Sequence, residues 1–456
     1  MSEPETFLGG RVTLHCGDSR ELLRAIPDAS IHAVVCDPPY ALVSIGKRFG
    51  KEGAAPAQFG RDGAYARASA GFMGKQWDTG ETAFAVEFWR EVLRVLKPGG
   101  HIVAFSGTRT YHRMACAIED AGFEIRDQLG WVYATGFPKS HDVAKGIDKA
   151  LGVEGEIVPA GAPVRRIRPG ADQHKDGSWE KLTDRTYQPG AYVPGSPEAE
   201  EWQGWGTALK PSWEPIALAR KPLEGTVAAN VLAHGAGALN IDGCRIEAGD
   251  KTPAPVGQFG GSEIGPTGLR GVRDGAADGL GRWPANIVHD GSPEVVAAFP
   301  DAPGQQRAVT GNEPSSPFAN VYGDMPSRAG GAIPRGDSGS AARFFYSAKA
   351  DADDRLGSKH PTVKPVDLMQ WLCRLVTPPG GTVLDPFAGT GTTGEAAWRE
   401  GFSAVLVERE AEYQADIRRR MKLTMGGPEE RKRESIKARH GHVEAGPLFS
   451  GLGAAE

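Results

Sequence analysis

A chain of 456 residues, 40% hydrophobic and 24% charged, is long enough for one large α/β domain plus a second domain or a big insertion. Its formal net charge of −5 excludes a molecule that is basic all over, so any nucleic-acid contact must come from local clusters in a cleft. The 5 cysteines form no Cys-x-x-Cys pair, which argues against a zinc site or a disulfide framework. With no apolar signal core and no run near the roughly 18 apolar residues of a membrane span, a soluble cytoplasmic protein with no membrane partner is expected.

In chain order, residues 11–135 are predicted to alternate strands and helices. Val12 to Cys16 reads as a strand ending at Gly17-Asp18, and Ser19 to Ile26 reads as a helix. The apolar, β-branched run from Ile31 to Cys36 stops at Asp37, as a buried parallel strand should. Helical spacing from Phe84 to Leu96 ends at Lys97-Pro98-Gly99-Gly100, ahead of a strand from His101 to Phe105. A helix through 111–121 and strand-like residues 123–133 follow. From about 140 to 342 the chain is rich in Gly, Pro, Arg and Asp, with Trp202, Trp205, Trp213 and Trp283 widely spaced. A loop that long is out of place in one compact domain, so the region is predicted to be an inserted domain. Regular patterning resumes at Arg343, with a helix from Val366 to Val376, a strand over 382–384, a helix over 393–399, a strand over 404–407 and a helix near 411–423. Two βα blocks flanking an irregular insert predict one doubly wound α/β sheet assembled from both ends, followed by a frayed, charged tail.

Two strings carry the chemistry. Downstream, Asp385-Pro386-Phe387-Ala388-Gly389-Thr390-Gly391-Thr392 joins a strand to a helix. Glycines there let backbone approach a ligand closely, although a lone Gly-x-Gly is more often a plain tight turn. Glu408 closes the next predicted strand at about the 20-residue spacing of a ribose-binding acid. Without the full G-x-G-x-x-G pattern a dinucleotide is disfavoured, and S-adenosyl-L-methionine, a nucleoside cofactor without pyrophosphate, fits better. Upstream, Asp37-Pro38-Pro39-Tyr40 ends a predicted parallel strand. An amine on an aromatic base is a poor nucleophile because its lone pair is delocalised into the ring. Hydrogen bonds to the Asp37 carboxylate and a proline carbonyl favour rehybridisation and face the developing positive charge. Tyr40 offers a ring on which an extruded base can lie. The bland alternative is a Pro-Pro turn with an incidental acid and aromatic.

Together these strings resemble the amino-methyltransferases of DNA, specifically the permuted β group, in which the catalytic motif precedes the cofactor motif. The resemblance spans approximately residues 11–138 and 343–423, and the intervening segments resemble phage and prophage members. It implies a circularly permuted, Rossmann-like methyltransferase sheet: a catalytic half over 1–139, a target-recognition insertion over 140–342, a cofactor-binding half over 343–425 and a flexible tail over 426–456. It further implies that Asp18 contacts the adenine moiety of the cofactor, a position that otherwise reads as a helix N-cap. In His360-Pro361-Thr362-Val363-Lys364-Pro365, Lys364 is expected to help bind the methionine end, by neutralising a carboxylate.

The activity so implied is methyl transfer to adenine N6 in double-stranded DNA by base flipping. Asp in the first motif position leans towards adenine, whereas Ser is commoner for N4 of cytosine. RNA or protein-glutamine methylation and a silent DNA-binding role are the rival readings. Pairing as a homodimer and a partner restriction endonuclease are left open. Within the insert, the tryptophans are candidates for base stacking, although burial is the commoner fate of that side chain. Arg165, Arg166 and Arg168 are candidate phosphate contacts. Cys36 is expected to pack in the core, with no role as a nucleophile.

Overall fold

The computed structural model describes residues 3–40, 82–136, 140–165, 171–173, 179–181, 186–247, 281–302, 339–348, 352–358, 360, 362–426, 429–431 and 433. They separate into two compact units, one of the described residues up to 134 together with those from 213 onward, the other of the described residues within 135–212.

The first unit holds a sheet of ten described strands: β1 (Glu5–Phe7), β2 (Val12–Cys16), β3 (Ile31–Cys36), β4 (Leu96–Phe105), β5 (Glu124–Val132), β6 (Trp213–Arg220), β7 (Ile287–His289), β8 (Tyr346–Ser347), β9 (Thr382–Asp385) and β10 (Ser403–Glu408). They lie in the order β1-β2-β10-β9-β3-β4-β6-β5-β7-β8. From β2 to β4 the neighbours run parallel, while β6 is antiparallel to both β4 and β5.

Successive side chains of a strand point to opposite faces, so a central strand needs apolar residues throughout. In β3, Ala33 and Val35 join a core with helix Val366–Val376 through Leu368, Met369, Trp371 and Leu372. The intervening Val34 and Cys36 join a second core with Phe88, Trp89, Val92 and Val95 of helix Val86–Val95. Helices from the N-terminal block thus cover one face, and Ala396 and Ile417 of the C-terminal block pack on the other. Cys36 is fully buried, as its strand position requires.

The doubly wound α/β sheet built from both ends is therefore present, with one difference in what belongs to it. Residues 213–220 and 287–289 fall inside the stretch read as an insertion, yet they are sheet strands, and β6 sits between β4 and β5. The separate unit ends at Ser212. The apolar run Ile216–Ala219 is buried on both faces, which gives it no alternation to mark it as a strand.

The second unit is small. Its helix Val143–Leu151 is capped by Asp142, and an antiparallel ladder pairs Glu156–Pro159 with Gly190–Val193. Fully buried Asp148 ties it together by accepting bonds from Tyr192 Oη, the Gly195 N–H and Ser196 Oγ. Burial, the commoner fate expected of the four tryptophans, is not what occurs. Trp202 and Trp205 here, like Trp213 and Trp283 in the first unit, are between 41% and 65% exposed. Arg166 and Arg168, the Arg165 side chain, and most of the tail after 426 lie outside the described residues. Among the described residues no helix is long and apolar enough to cross a membrane.

Candidate active site

Because β2, β10, β9 and β3 are parallel, their C-terminal ends share one edge of the sheet. Asp18, Glu408, Asp385 and Asp37 stand there on four consecutive strands or just beyond them. After β9 the chain moves to β10 on one side, whereas after β3 it moves to β4 on the other. The cleft between β9 and β3 is thus a topological switch point, where open α/β sheets bind ligands.

The predicted site residues converge on that cleft. Asp18, Asp37, Pro38, Pro39, Tyr40, Lys364, Asp385, Phe387, Ala388, Gly389, Thr390, Thr392 and Glu408 all line it. Gly391 stands behind the wall as the N-cap of helix Thr392–Arg399, in the left-handed region at φ 77. That conformation suits glycine, and a Cβ there would meet Ile417 Cγ1 at 3.1 Å.

Backbone donors and acids hold the turn in shape. Asp385 accepts from the Phe387 N–H at 3.0 Å and from Thr393 Oγ1 at 2.5 Å. Burial pushes its carboxyl up to about 7, against the pull of those two bonds. Glu408 accepts from the N–H groups of Gly389 at 2.7 Å and Glu410 at 2.8 Å, and burial pushes it, too, up to about 7. Asp18 caps helix Ser19–Leu22 through the Arg20 N–H. Its bonds to the Arg20 side chain hold its carboxyl below the ordinary value. His360 packs edge-on against Tyr413, and burial lowers its pKa to about 4, so the ring is neutral at physiological pH.

The catalytic string is bound to Lys364, the lysine expected at the methionine end of the cofactor. Lys364 Nζ lies 2.8 Å from Asp37 Oδ2, 3.0 Å from Glu214 Oε2 and 3.0 Å from Tyr40 Oη. The Tyr40 hydroxyl in turn donates to Glu214 Oε2 at 2.9 Å. Burial alone lowers an ammonium's pKa, but the charges of Asp37 and Glu214 outweigh it and hold Lys364 above the ordinary lysine value. Burial, reinforced by the same two carboxylates, raises the Tyr40 phenol. Thr110 Oγ1 fixes the Tyr40 carbonyl at 2.9 Å. The remaining Asp37 oxygen, Oδ1, is buried and has no hydrogen-bond donor among the described residues.

Glu214 is the residue that motif reading missed. It opens β6, and an antiparallel strand begins at the edge where its parallel neighbours end. A short apolar run bracketed by Pro211 and Pro222 was the signal available for that strand.

A profile of the N6/N4 DNA methylases matches residues 31–152 and 297–419, more than half of the chain. The chain belongs to the DNA methylase family. It is 38% identical over 68 residues to the type II methyltransferase M2.DpnII of Streptococcus pneumoniae, covering 15% of this chain and 25% of that protein. Over 159 residues it is 28% identical to the type II methyltransferase M.HindIII of Haemophilus influenzae, covering 34% of this chain and 38% of the relative. The chain thus spans well under half the length of either curated relative. Among solved structures, PvuII DNA methyltransferase, described as cytosine-N4-specific, aligns over 96% of this chain and 94% of its own at 14% identity, with a TM-score of 0.38.

Proposed function

We propose that this chain methylates an exocyclic amine of a base flipped out of double-stranded DNA, at N6 of adenine, with S-adenosylmethionine as methyl donor. The observation that carries the reading is Asp37 Oδ1, a buried acceptor without a donor among the described residues, beside the glycine turn of the neighbouring strand. A hydrogen-bonding amine satisfies it, and an unsatisfied buried acceptor is otherwise unfavourable.

The cleft suits that donor. Among the described residues its lining carries the carboxylates of Asp18, Asp37, Asp385, Glu408 and Glu410 against the side chains of Lys364 and Arg409. An acidic wall suits a sulfonium and disfavours a pyrophosphate. In this reading Gly389 allows close approach, Thr390, Thr392 and Phe387 line the nucleoside, and Glu408 and Asp18 accept from its ribose and adenine. When bound, S-adenosylmethionine supplies an electrophilic methyl group.

Asp37 and the Pro38 carbonyl accept the two amine hydrogens and orient the nitrogen lone pair, while the Tyr40 ring supports the base. As the N–C bond forms and the methyl–sulfur bond breaks, its electron pair staying on what becomes a neutral thioether, positive charge grows on the nitrogen, and the Asp37 carboxylate faces it. One N–H proton is then lost to solvent. Residues 140–342 are proposed to contain the target-reading residues, with the exposed Trp202 and Trp205 of the second unit as candidate aromatic contacts.

Incubation with duplex DNA and cofactor labelled in the methyl group, followed by digestion to nucleosides, tests the proposal. Label in N6-methyladenine is expected, and its loss in Asp37→Asn. Label in N4-methylcytosine overturns the choice of base, and transfer to RNA alone overturns the DNA reading.

A further inference from the structure

Lys364 has three N–H donors, and all three are taken: by Asp37 Oδ2, Glu214 Oε2 and Tyr40 Oη. None is left for a cofactor carboxylate, the role its motif suggested. Its ammonium is 5% exposed and sits 4.8 Å from the centre of the Phe105 ring, so it is neither solvated nor free to swing. Its second carboxylate comes from outside both motifs. Glu214 is delivered by β6, whose pairing of Ile216 with Phe105 sets its first residues beside the end of β4. The Ser106 N–H, bonded to the Pro215 carbonyl at 3.0 Å, fixes that juncture.

We propose that Glu214 and Lys364 form a positioning pair for the methyl-transfer site. Glu214 anchors the Lys364 ammonium and the Tyr40 hydroxyl, and Lys364 holds Asp37 by Oδ2 so that Oδ1 faces the amine. This rests on the amine-clamp reading of Asp37 given above. Two independent facts support it: the donor set of Lys364 is filled, and the one Asp37 oxygen outside that set is the one without a donor.

Among the described residues the charged and titratable groups around Asp37 are Lys364, Tyr40, Glu214 across the shared ammonium, Asp385 on β9 and Cys36 at the end of β3; Glu214 is also faced by Tyr133. Their arrangement fixes the sign of each test. In Lys364→Gln, two carboxylates are left without their shared cation, so the acid limb of the pH–rate profile moves up by about one unit or more. In Glu214→Gln, Asp37 loses a like-charged neighbour and keeps its cation, so the limb moves down. The double variant removes both charges and brings the limb back towards that of the unmodified protein. Loss of alignment lowers the single-turnover rate in each single variant by on the order of 10²-fold.

Single-turnover transfer across pH, with cofactor affinity by calorimetry and Asp37→Asn as reference, reads all of this on the full chain. Expected are opposite shifts of the acid limb in the two single variants, with the saturating single-turnover rate lowered in each. If Lys364→Gln does not fold, the downward shift in Glu214→Gln carries the test. Unmoved acid limbs overturn the pair, as does a large loss of cofactor affinity with an unchanged rate at saturation. Either failure alongside an inactive Asp37→Asn leaves the amine clamp standing, whereas an active Asp37→Asn overturns the clamp itself.

Discussion

Glu408 accepts the Gly389 N–H at 2.7 Å, so the acid that closes β10 grips the turn that leaves β9. Its carboxyl and that of Asp385, each raised to about 7 by burial, change charge near neutral pH. Both folded values lie above the unfolded ones, so the folded chain holds protons that the unfolded chain has lost. Their contribution to stability is full below the ordinary carboxyl range and is lost as pH rises through about 7. A bound cation favours the ionised forms instead. S-adenosylmethionine is therefore expected to bind more tightly at about pH 8 than at about pH 6, releasing protons as it does so. Titration calorimetry in buffers of differing ionisation enthalpy measures that release. The neutral thioether product should show a much weaker dependence, and equal pH dependence of the two ligands would refute the account.

The cofactor turn makes a sharper steric prediction. Gly391 and Gly401 both lie in the left-handed region, at φ 77 and φ 84, but only at Gly391 does an added Cβ meet neighbours, Ile417 Cγ1 at 3.1 Å and Cγ2 at 3.3 Å. Gly401→Ala is expected to lower stability by about 1–2 kcal/mol through backbone strain alone. Gly391→Ala should lose more than that and should also weaken cofactor binding, because Thr390 and Thr392 flank it on the cleft wall. Thermal melting of the two variants, with and without cofactor, separates strain from clash.

How much of this was legible in the sequence depends on where each residue's placement is decided. That Asp37 and Gly389 each stand at a strand end follows from local patterns, an apolar run ending at an acid and a strand leading into a glycine turn, whereas their neighbouring placement was implied by the resemblance to a permuted sheet. The helix Val366–Val376 likewise announces its face by its own spacing. Glu214 was hidden because its place depends on β6 entering between β4 and β5, a pairing no local period encodes. Lys364 was visible as a cation near the site, but its partner depends on which carboxylate reaches it first. The exposure of Trp202 and Trp205 was misjudged because side-chain size says what a residue would gain by burial, not whether a small unit has interior to offer.

Arg420 shows how the cofactor turn is braced from behind. Its guanidinium, 1% exposed, donates to the Thr390 carbonyl at 2.8 Å and pairs with Glu395, which is fully buried, at 2.7 Å. Removing one partner of such a pair strands a buried charge. Arg420→Ala is expected to destabilise the protein by about 3 kcal/mol, at the lower end of such effects because Arg399 and Arg431 remain on Glu395. Urea unfolding measures the loss. A double variant with Glu395→Gln should be less than additive, and full additivity would show that the two residues act separately.

The exposed pair Trp202 and Trp205 offers a test of what the second unit does. The rings meet edge-on at 5.2 Å, 43% and 60% exposed, while their backbones are held by bonds of Trp202 N–H to the Ala199 carbonyl and of Val143 N–H to the Trp205 carbonyl. Backbone bonds survive truncation of the indoles, so each alanine variant should shift the melting midpoint by no more than about 2 °C. If the rings stack on bases, each loss should weaken DNA binding by about 1–3 kcal/mol, roughly fivefold to a hundredfold or more in Kd. Fluorescence anisotropy with duplex DNA at fixed salt reads this directly, since phosphate contacts elsewhere dominate the salt dependence. Cofactor affinity should not change. A fall in melting midpoint with DNA affinity intact would assign the pair to packing within its own unit and move target reading to other residues of 140–342.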